Sequence, residues 1–377
     1  MSQRCFLHVG AAKTGSTSLQ MALARDLRNE RFLYVSGDRP NGSFALTAMF
    51  ETSPGNEGPF HAANLPGGFT QYRKHQARRL EQGFELARRQ GRDLILSSEE
   101  TWLWSREGLV NLREALHRHG FSVEVVAYVR PLVPWIQSLF QQAVKMGRRD
   151  LSLPRHREFR NLQVRERTLL MWEVFGRERV QVRFFAPDRF PERCVVRDFC
   201  EPLGWPVPEG LSWRSNETLN LPAVQLLYAF NRFAGPVGDW GRPIPRGYRA
   251  LPDHLKSLPG PPLAFHSNLL ESWLADLRPD DDWIQRELGM SLWPARLPPD
   301  DEHSLLSESE LFRYDPVTLD WLACETGTKV VKPTSGEVAA RQVAAQVEVL
   351  RRQVSNSLIE RGWSWLRKQW SGRPFEV

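Results

Sequence analysis

The chain has 377 residues, of which 41% are hydrophobic and 25% charged, with a formal net charge of +6. That composition suits a globular protein with room for a large α/β domain, and it excludes disorder over most of the length. Of the 50 basic residues 43 are Arg, an excess that fits an anionic ligand as well as Arg-favouring codons, while no run of five basic residues marks a nucleic-acid arm.

In chain order, CFLHV (5–9) reads as a first strand, running into a glycine loop and a helix from about Ser16. The start, MSQRCFLHVGAAKTG, lacks the long apolar stretch of a secretory signal, and no segment approaches the apolar length of a transmembrane helix. Cys5, Cys194, Cys200 and Cys324 form no C-x-x-C pair, so neither a disulfide framework nor a zinc site is expected. These features together give the expectation of a cytoplasmic protein without a metal.

FLYVS (32–36) is a second strand, and residues 37–69, rich in Gly, Pro, Asn and Ser, read as a substrate loop. An Arg-rich helix around 70–90 leads to DLILSS (93–98), a third strand. VEVVAYV (123–129) is a fourth, followed by the helix PLVPWIQSLFQQAVK. A helix over 161–176 precedes the fifth strand, VQVRFFA (180–186). Near-continuous apolar strands separated by helices predict an α/β fold: a P-loop-like central parallel sheet of about five strands flanked by helices. In such sheets ligands bind beyond the carboxyl ends of the strands, here after Val9, Ser98, Val129 and Ala186.

Residues 234–262 read as a second substrate loop, and 294–304 as a third loop segment. One α/β domain is expected over 1–330, with a C-terminal amphipathic helix over 337–377. Val343, Val347, Leu350, Val354 and Leu358 recur there at helical spacing, followed by Trp363, Trp365, Leu366 and Trp370 among basic residues. Docking on the core, an oligomer contact and a peripheral contact with the inner membrane are the three readings of this extension.

The loop after the first strand is Gly10-Ala11-Ala12-Lys13-Thr14-Gly15-Ser16-Thr17-Ser18. A glycine loop opening a helix presents free backbone N–H groups to an anion. The hydroxyls of Thr14, Ser16, Thr17 and Ser18 can add donors. A nucleotide-triphosphatase loop would carry Lys directly after the second glycine, where Ser16 stands, and no strand ends in the Asp that helps hold magnesium. After the fourth strand, Arg130 stands at the carboxyl end, Pro131 opens a helix, and Ser138 lies about two turns along it. Arg can grip a phosphate with two parallel hydrogen bonds and Ser can add a hydroxyl.

HVGAAKTGSTS resembles the loop of sulfotransferases that binds 3′-phosphoadenosine 5′-phosphosulfate (PAPS), whose common form is Pro-Lys-Thr-Gly-Thr/Ser-Thr; Ala12 replaces the Pro. Arg130, Pro131 and Ser138 resemble the family's second signature. The resemblance implies that Lys13 assists the departing nucleotide and that residues 12–18 cradle the 5′-phosphosulfate. It implies that Arg130 and Ser138 bind the 3′-phosphate. Arg214, in RSNETL, belongs to a patch that resembles a segment of bacterial members, and that resemblance implies that it reaches the same phosphate. SSEE (97–100) resembles the SSE segment of bacterial members, which makes Glu99, then Glu100, candidate general bases; His61 in the 37–69 loop is another. The implied activity consumes PAPS, releases 3′-phosphoadenosine 5′-phosphate, and sulfates a glycan, glycolipid or small-molecule acceptor, with no nucleic-acid partner. The rival readings are a P-loop kinase or nucleotidase with an altered loop, and a noncatalytic adaptor acting through the Trp-rich terminal helix.

Overall fold

The computed structural model describes residues 3–26, 29–52, 67–152, 162–207, 218–235, 248, 250–294 and 296–370, the side chains of 276 and 357–370 excepted. His61 and Arg214 lie outside the described residues. The chain forms two compact units, Met1–Ile136 with Pro154–Asn216 and Leu274–Arg296, and Gln137–Leu153 with Glu217–Trp273 and Leu297–Val377.

The first unit holds a five-stranded, wholly parallel sheet flanked by helices. Its strands are β1 (Gln3–Gly10), β2 (Phe32–Tyr34), β3 (Asp93–Ser97), β4 (Phe121–Val129) and β5 (Val180–Phe184), in the order β2-β3-β1-β4-β5. Each of the five apolar runs forms a strand. Cys5 to Val9 are all buried, as a central strand covered on both faces requires. The register brings His8 beside Ser97, Gly10 beside Tyr128 and Val129 beside Phe184. The carboxyl ends of β3, β1, β4 and β5 therefore share one edge. The path leaves β1 toward β2 and leaves β4 toward β5, so the strand order reverses between β1 and β4, where ligand crevices form.

The first unit's helices include α1 (Ser16–Met21), α2 (Ser43–Phe50), α3 (Gly68–Arg89), α4 (Arg106–Arg118), the opening of α5 (Leu132–Lys145), α6 (Val164–Phe175) and α7 (Val195–Cys200). Phe6, Leu19, Ile95, Val126, Tyr128, Phe199 and Trp205 belong to one core cluster on the α1 and α7 side of the sheet. Helix α2 corrects the reading of residues 37–69 as loop throughout. The run SFALTAMF is apolar enough to bury, and Gly42 lets it begin tight against β3: a Cβ there would sit 2.8 Å from the Ser97 carbonyl.

In the second unit α8 (Leu221–Phe233) is almost wholly buried. It packs against the long C-terminal α9 (Gly336–Trp370), whose Ala339, Ala340, Val343, Ala344, Val347 and Leu350 are buried. The first half of the terminal helix is thus docked on its own unit. The aromatic residues from Trp363 onward lie where side chains are not described. Among the described residues no helix is long and apolar enough to cross a membrane, and no cluster of His, Cys, Asp or Glu can hold a metal ion.

One buried cation holds the segment that follows β3. Arg167 of α6 donates from Nε to the Trp102 carbonyl at 2.6 Å and from Nη2 to the Trp104 carbonyl. It is 2% exposed, so both bonds form in a dry setting, where losing the donor is costly. We expect Arg167→Met to lower unfolding stability by about 3 kcal/mol in urea titration. A loss under about 1 kcal/mol would show that the segment needs no such anchor.

Candidate functional site

The loop from Gly10 to Gly15 is wound by two left-handed residues, Lys13 (φ 70°) and Gly15 (φ 76°), with Thr14 between them in ordinary backbone. Alternation of this kind turns successive N–H groups toward one side, a backbone nest for an anion. The ladder of α1 begins at Gly15, whose carbonyl accepts from Ser18 and Leu19 at 3.0 and 3.3 Å. The N–H groups of Ser16 and Thr17 stand ahead of that ladder, as first-turn donors. The glycines are dictated by packing as well as by torsion. A Cβ on Gly10 would lie 2.3 Å from Ser16 Oγ, and one on Gly15 would lie 2.9 Å from the Phe185 ring.

The hydroxyls divide by direction. Thr14 is buried and donates to the Ala11 carbonyl at 2.6 Å, so its proton closes the loop and is not offered outward. Ser16 and Ser18 are buried, Thr17 is exposed, and Ala12 and Lys13 are half-buried.

Arg130 leaves the end of β4 and donates from Nη1 to the Lys13 carbonyl at 3.1 Å. Its guanidinium also lies over the Phe185 ring, 5.6 Å from the centroid. Among the described residues neither Arg130 nor Lys13 has a carboxylate within ion-pair distance. Burial holds the Lys13 ammonium below the usual lysine range, with Glu99 pulling it back up and Arg130 pushing it further down. Burial alone lowers Arg130. Two partly desolvated cations therefore share the β1/β4 edge, with Glu99 acting on Lys13 from beyond ion-pair distance.

Glu99 follows β3 and is the carboxylate whose field Lys13 feels. Its N–H donates to Ser43 Oγ at 3.0 Å, which ties it to the start of α2. Glu100 begins the short 3-10 turn that continues to Leu103. Of the two acids, Glu99 is the one joined electrostatically to the loop. The structure thus brings together Lys13, Glu99 and Arg130. Ser138 lies on α5 past the point where the chain enters the second unit, and it is buried there.

Phe185 escaped the sequence reading. It lies just past β5, with nothing in FFAPD to separate it from a core aromatic; only the parallel register, with its N–H on the Val129 carbonyl at 2.6 Å, sets it beneath Arg130.

No family model and no curated protein matches the chain. Among solved structures, a sulfotransferase from Alicyclobacillus acidocaldarius is similar at 18% identity and a TM-score of 0.34, covering 61% of this chain and 93% of that one.

A side chain in left-handed backbone carries strain that glycine does not. Lys13→Gly should therefore be more stable than Lys13→Ala by about 1 kcal/mol in chemical denaturation, although both lack the ammonium. Equal stabilities would contradict the left-handed setting of this residue.

Proposed function

We propose that the chain is a sulfotransferase that moves a sulfuryl group from PAPS to a hydroxyl or amine of an acceptor. The observation that carries this reading is the pair of cations, Lys13 and Arg130, half-buried at a glycine loop without a carboxylate in ion-pair distance among the described residues. An anion with more than one charged group fits such a pair. Gly10 and Gly15 allow the tight path of the loop, where a Cβ would clash with its own packing, and the loop sequence resembles the PAPS signature, with Ala12 in place of Pro, rather than that of a triphosphatase.

The donor supplies an activated sulfuryl group attached to a phosphate leaving group. The loop's backbone donors and Lys13 hold the 5′ end, and the Lys13 ammonium offsets the charge that grows on the departing phosphate. Arg130 takes the 3′-phosphate in a forked contact, steadied by Phe185 below it. Ser138 and Arg214 join it there by resemblance alone. Glu99 removes the acceptor proton as the new bond to sulfur forms. Its place beside Lys13 favours it over Glu100, and over His61, which lies outside the described residues. A glycan or glycolipid acceptor is the class we favour, on the likeness of the glutamate arrangement to carbohydrate sulfotransferases.

Transfer of radiolabelled sulfate from PAPS to extracted glycans and lipids tests the activity. Lys13→Ala should lose at least about 100-fold in turnover, the scale of a lost charge stabiliser in the transition state. Glu99→Gln should lose about 100-fold in kcat with unchanged affinity for 3′-phosphoadenosine 5′-phosphate. Arg130→Ala should weaken that affinity about 10- to 100-fold, equivalent to one charged hydrogen-bonded contact. Full turnover in Glu99→Gln would remove it as the base.

The pH dependence has a definite sign. Lys13 is lowered in the free protein, and a bound anion favours its charged form, so binding takes up a proton. Affinity should be flat while Lys13 is charged in the free protein and should fall as pH rises through its depressed pKa. Calorimetry in buffers of different ionisation enthalpy would detect the uptake. Proton release on binding would contradict the assignment.

A further inference from the structure

A cavity of about 410 Å³ lies wholly within the second unit. Arg149 reaches it from just past α5, and Arg232 and Phe233 from the end of α8. Glu308 and Phe312 line it from a short turn, and Glu337 and Arg341 from the start of α9. Three guanidiniums against two carboxylates leave one net positive charge on its walls.

These charges are not paired off as far as their number allows. Arg341 takes Glu337, donating from Nε and Nη2 to Oε1 at 3.0 and 2.6 Å. Glu308 turns instead to the buried Tyr228, whose hydroxyl donates to Oε1 at 2.5 Å. Arg149 and Arg232 are left with no carboxylate in ion-pair distance among the described residues. Their bonds go to backbone. Arg149 donates from Nη2 to the Gly235 carbonyl at 3.4 Å, and Arg232 from Nη1 to the Arg149 carbonyl at 3.3 Å. Each bond serves the end of the other arginine's helix, and each uses one of the five N–H groups that a guanidinium carries. Arg149 Nε is buried without a partner, a costly state for a charged donor.

The chemistry left open selects a ligand. Two guanidiniums on different elements offer two forks. A carboxylate, with two oxygens, fills one of them, whereas a tetrahedral oxyanion can face both. Glu308 narrows the choice further. Its Oε2 accepts no hydrogen among the described residues, and a carboxylate repels an anion that has no proton to give, such as sulfate. Hydrogenphosphate keeps a proton at neutral pH and can donate it to that oxygen.

We propose that this cavity is a hydrogenphosphate site, in which Arg149 and Arg232 grip the oxygens of the anion and Glu308 Oε2 accepts its proton. The forks supply attraction, and the carboxylate supplies the preference for phosphate over sulfate. Nothing in the site depends on the sulfotransferase reading, because every residue that lines it belongs to the second unit.

The test is calorimetric titration of the full chain with sodium phosphate and, separately, with sodium sulfate at matched ionic strength. The same titrations in Lys13→Ala/Arg130→Ala protein remove any contribution from the glycine loop. Phosphate should bind both proteins. Arg149→Ala and Arg232→Ala should each weaken it about 10-fold or more, and Arg149→Lys, which keeps the charge without the fork, should lose less. Sulfate should bind the parent protein at least about 10-fold more weakly than phosphate, and Glu308→Gln, whose amide can donate, should erase that preference. Phosphate binding that survives both Arg→Ala changes, or that is absent from the Lys13→Ala/Arg130→Ala protein, would overturn the site. Sulfate bound as tightly as phosphate by the parent protein would overturn the role of Glu308. If the arginine variants fail to fold, the sulfate comparison between parent and Glu308→Gln still decides. Sedimentation with phosphatidic acid vesicles, beside phosphatidylcholine ones, separates the free ion from a lipid headgroup. Capture by phosphatidic acid without any response to free phosphate would overturn the free-ion assignment.

Discussion

The site depends on an excess of positive charge held where water is scarce. Lys13 and Arg130 sit together on the β1/β4 edge, and each is disfavoured in its charged form by burial. A protein concentrates like charges in this way at a cost to its own stability. The groups around them stop short of an ion pair, with Glu99 near enough for Lys13 to feel its charge. Arg130 bonds the Lys13 carbonyl rather than an acid, Phe185 supports its guanidinium, and the Thr14 hydroxyl turns inward to lock the turn. The left-handed Lys13 adds backbone strain at the same residue. An anion bound at this edge would relieve the electrostatic part of that cost.

The sheet gives this arrangement its rigidity. β1 lies between β3 and β4, so the loop leaving it is flanked by the acid after β3 and the cation after β4. Arg167 secures the segment beyond Glu100 from one side, and Ser43 secures Glu99 from the other. The glycine loop and Glu99 therefore rest on neighbouring strands of one sheet, as the proposed in-line displacement would ask of its catalytic groups.

Much of this was legible in the residues. Five apolar runs marked five strands, because a parallel sheet buried on both faces needs no alternation. Lys13, Glu99 and Arg130 were legible as residues at strand ends, where parallel sheets place their ligands. What escaped depends on contacts far apart in the chain. Phe185 looks like any core aromatic until β5 pairs with β4. Arg167 looks like one of many surface arginines until α6 places it against two carbonyls. The Gly-, Asn- and Ser-rich stretch 37–69 hid α2, because its flanking turn residues outweighed the short apolar run SFALTAMF. The inward turn of Thr14 follows from the left-handed backbone beside it, which the sequence GAAKTG does not declare.

The most direct measurement is calorimetric binding of 3′-phosphoadenosine 5′-phosphate in the presence of EDTA, beside ATP with magnesium. The account predicts that the bisphosphate binds without metal, that ATP with magnesium binds far more weakly, and that Lys13→Ala and Arg130→Ala each reduce the bisphosphate signal. Tight binding of magnesium ATP with no response to the bisphosphate would contradict it.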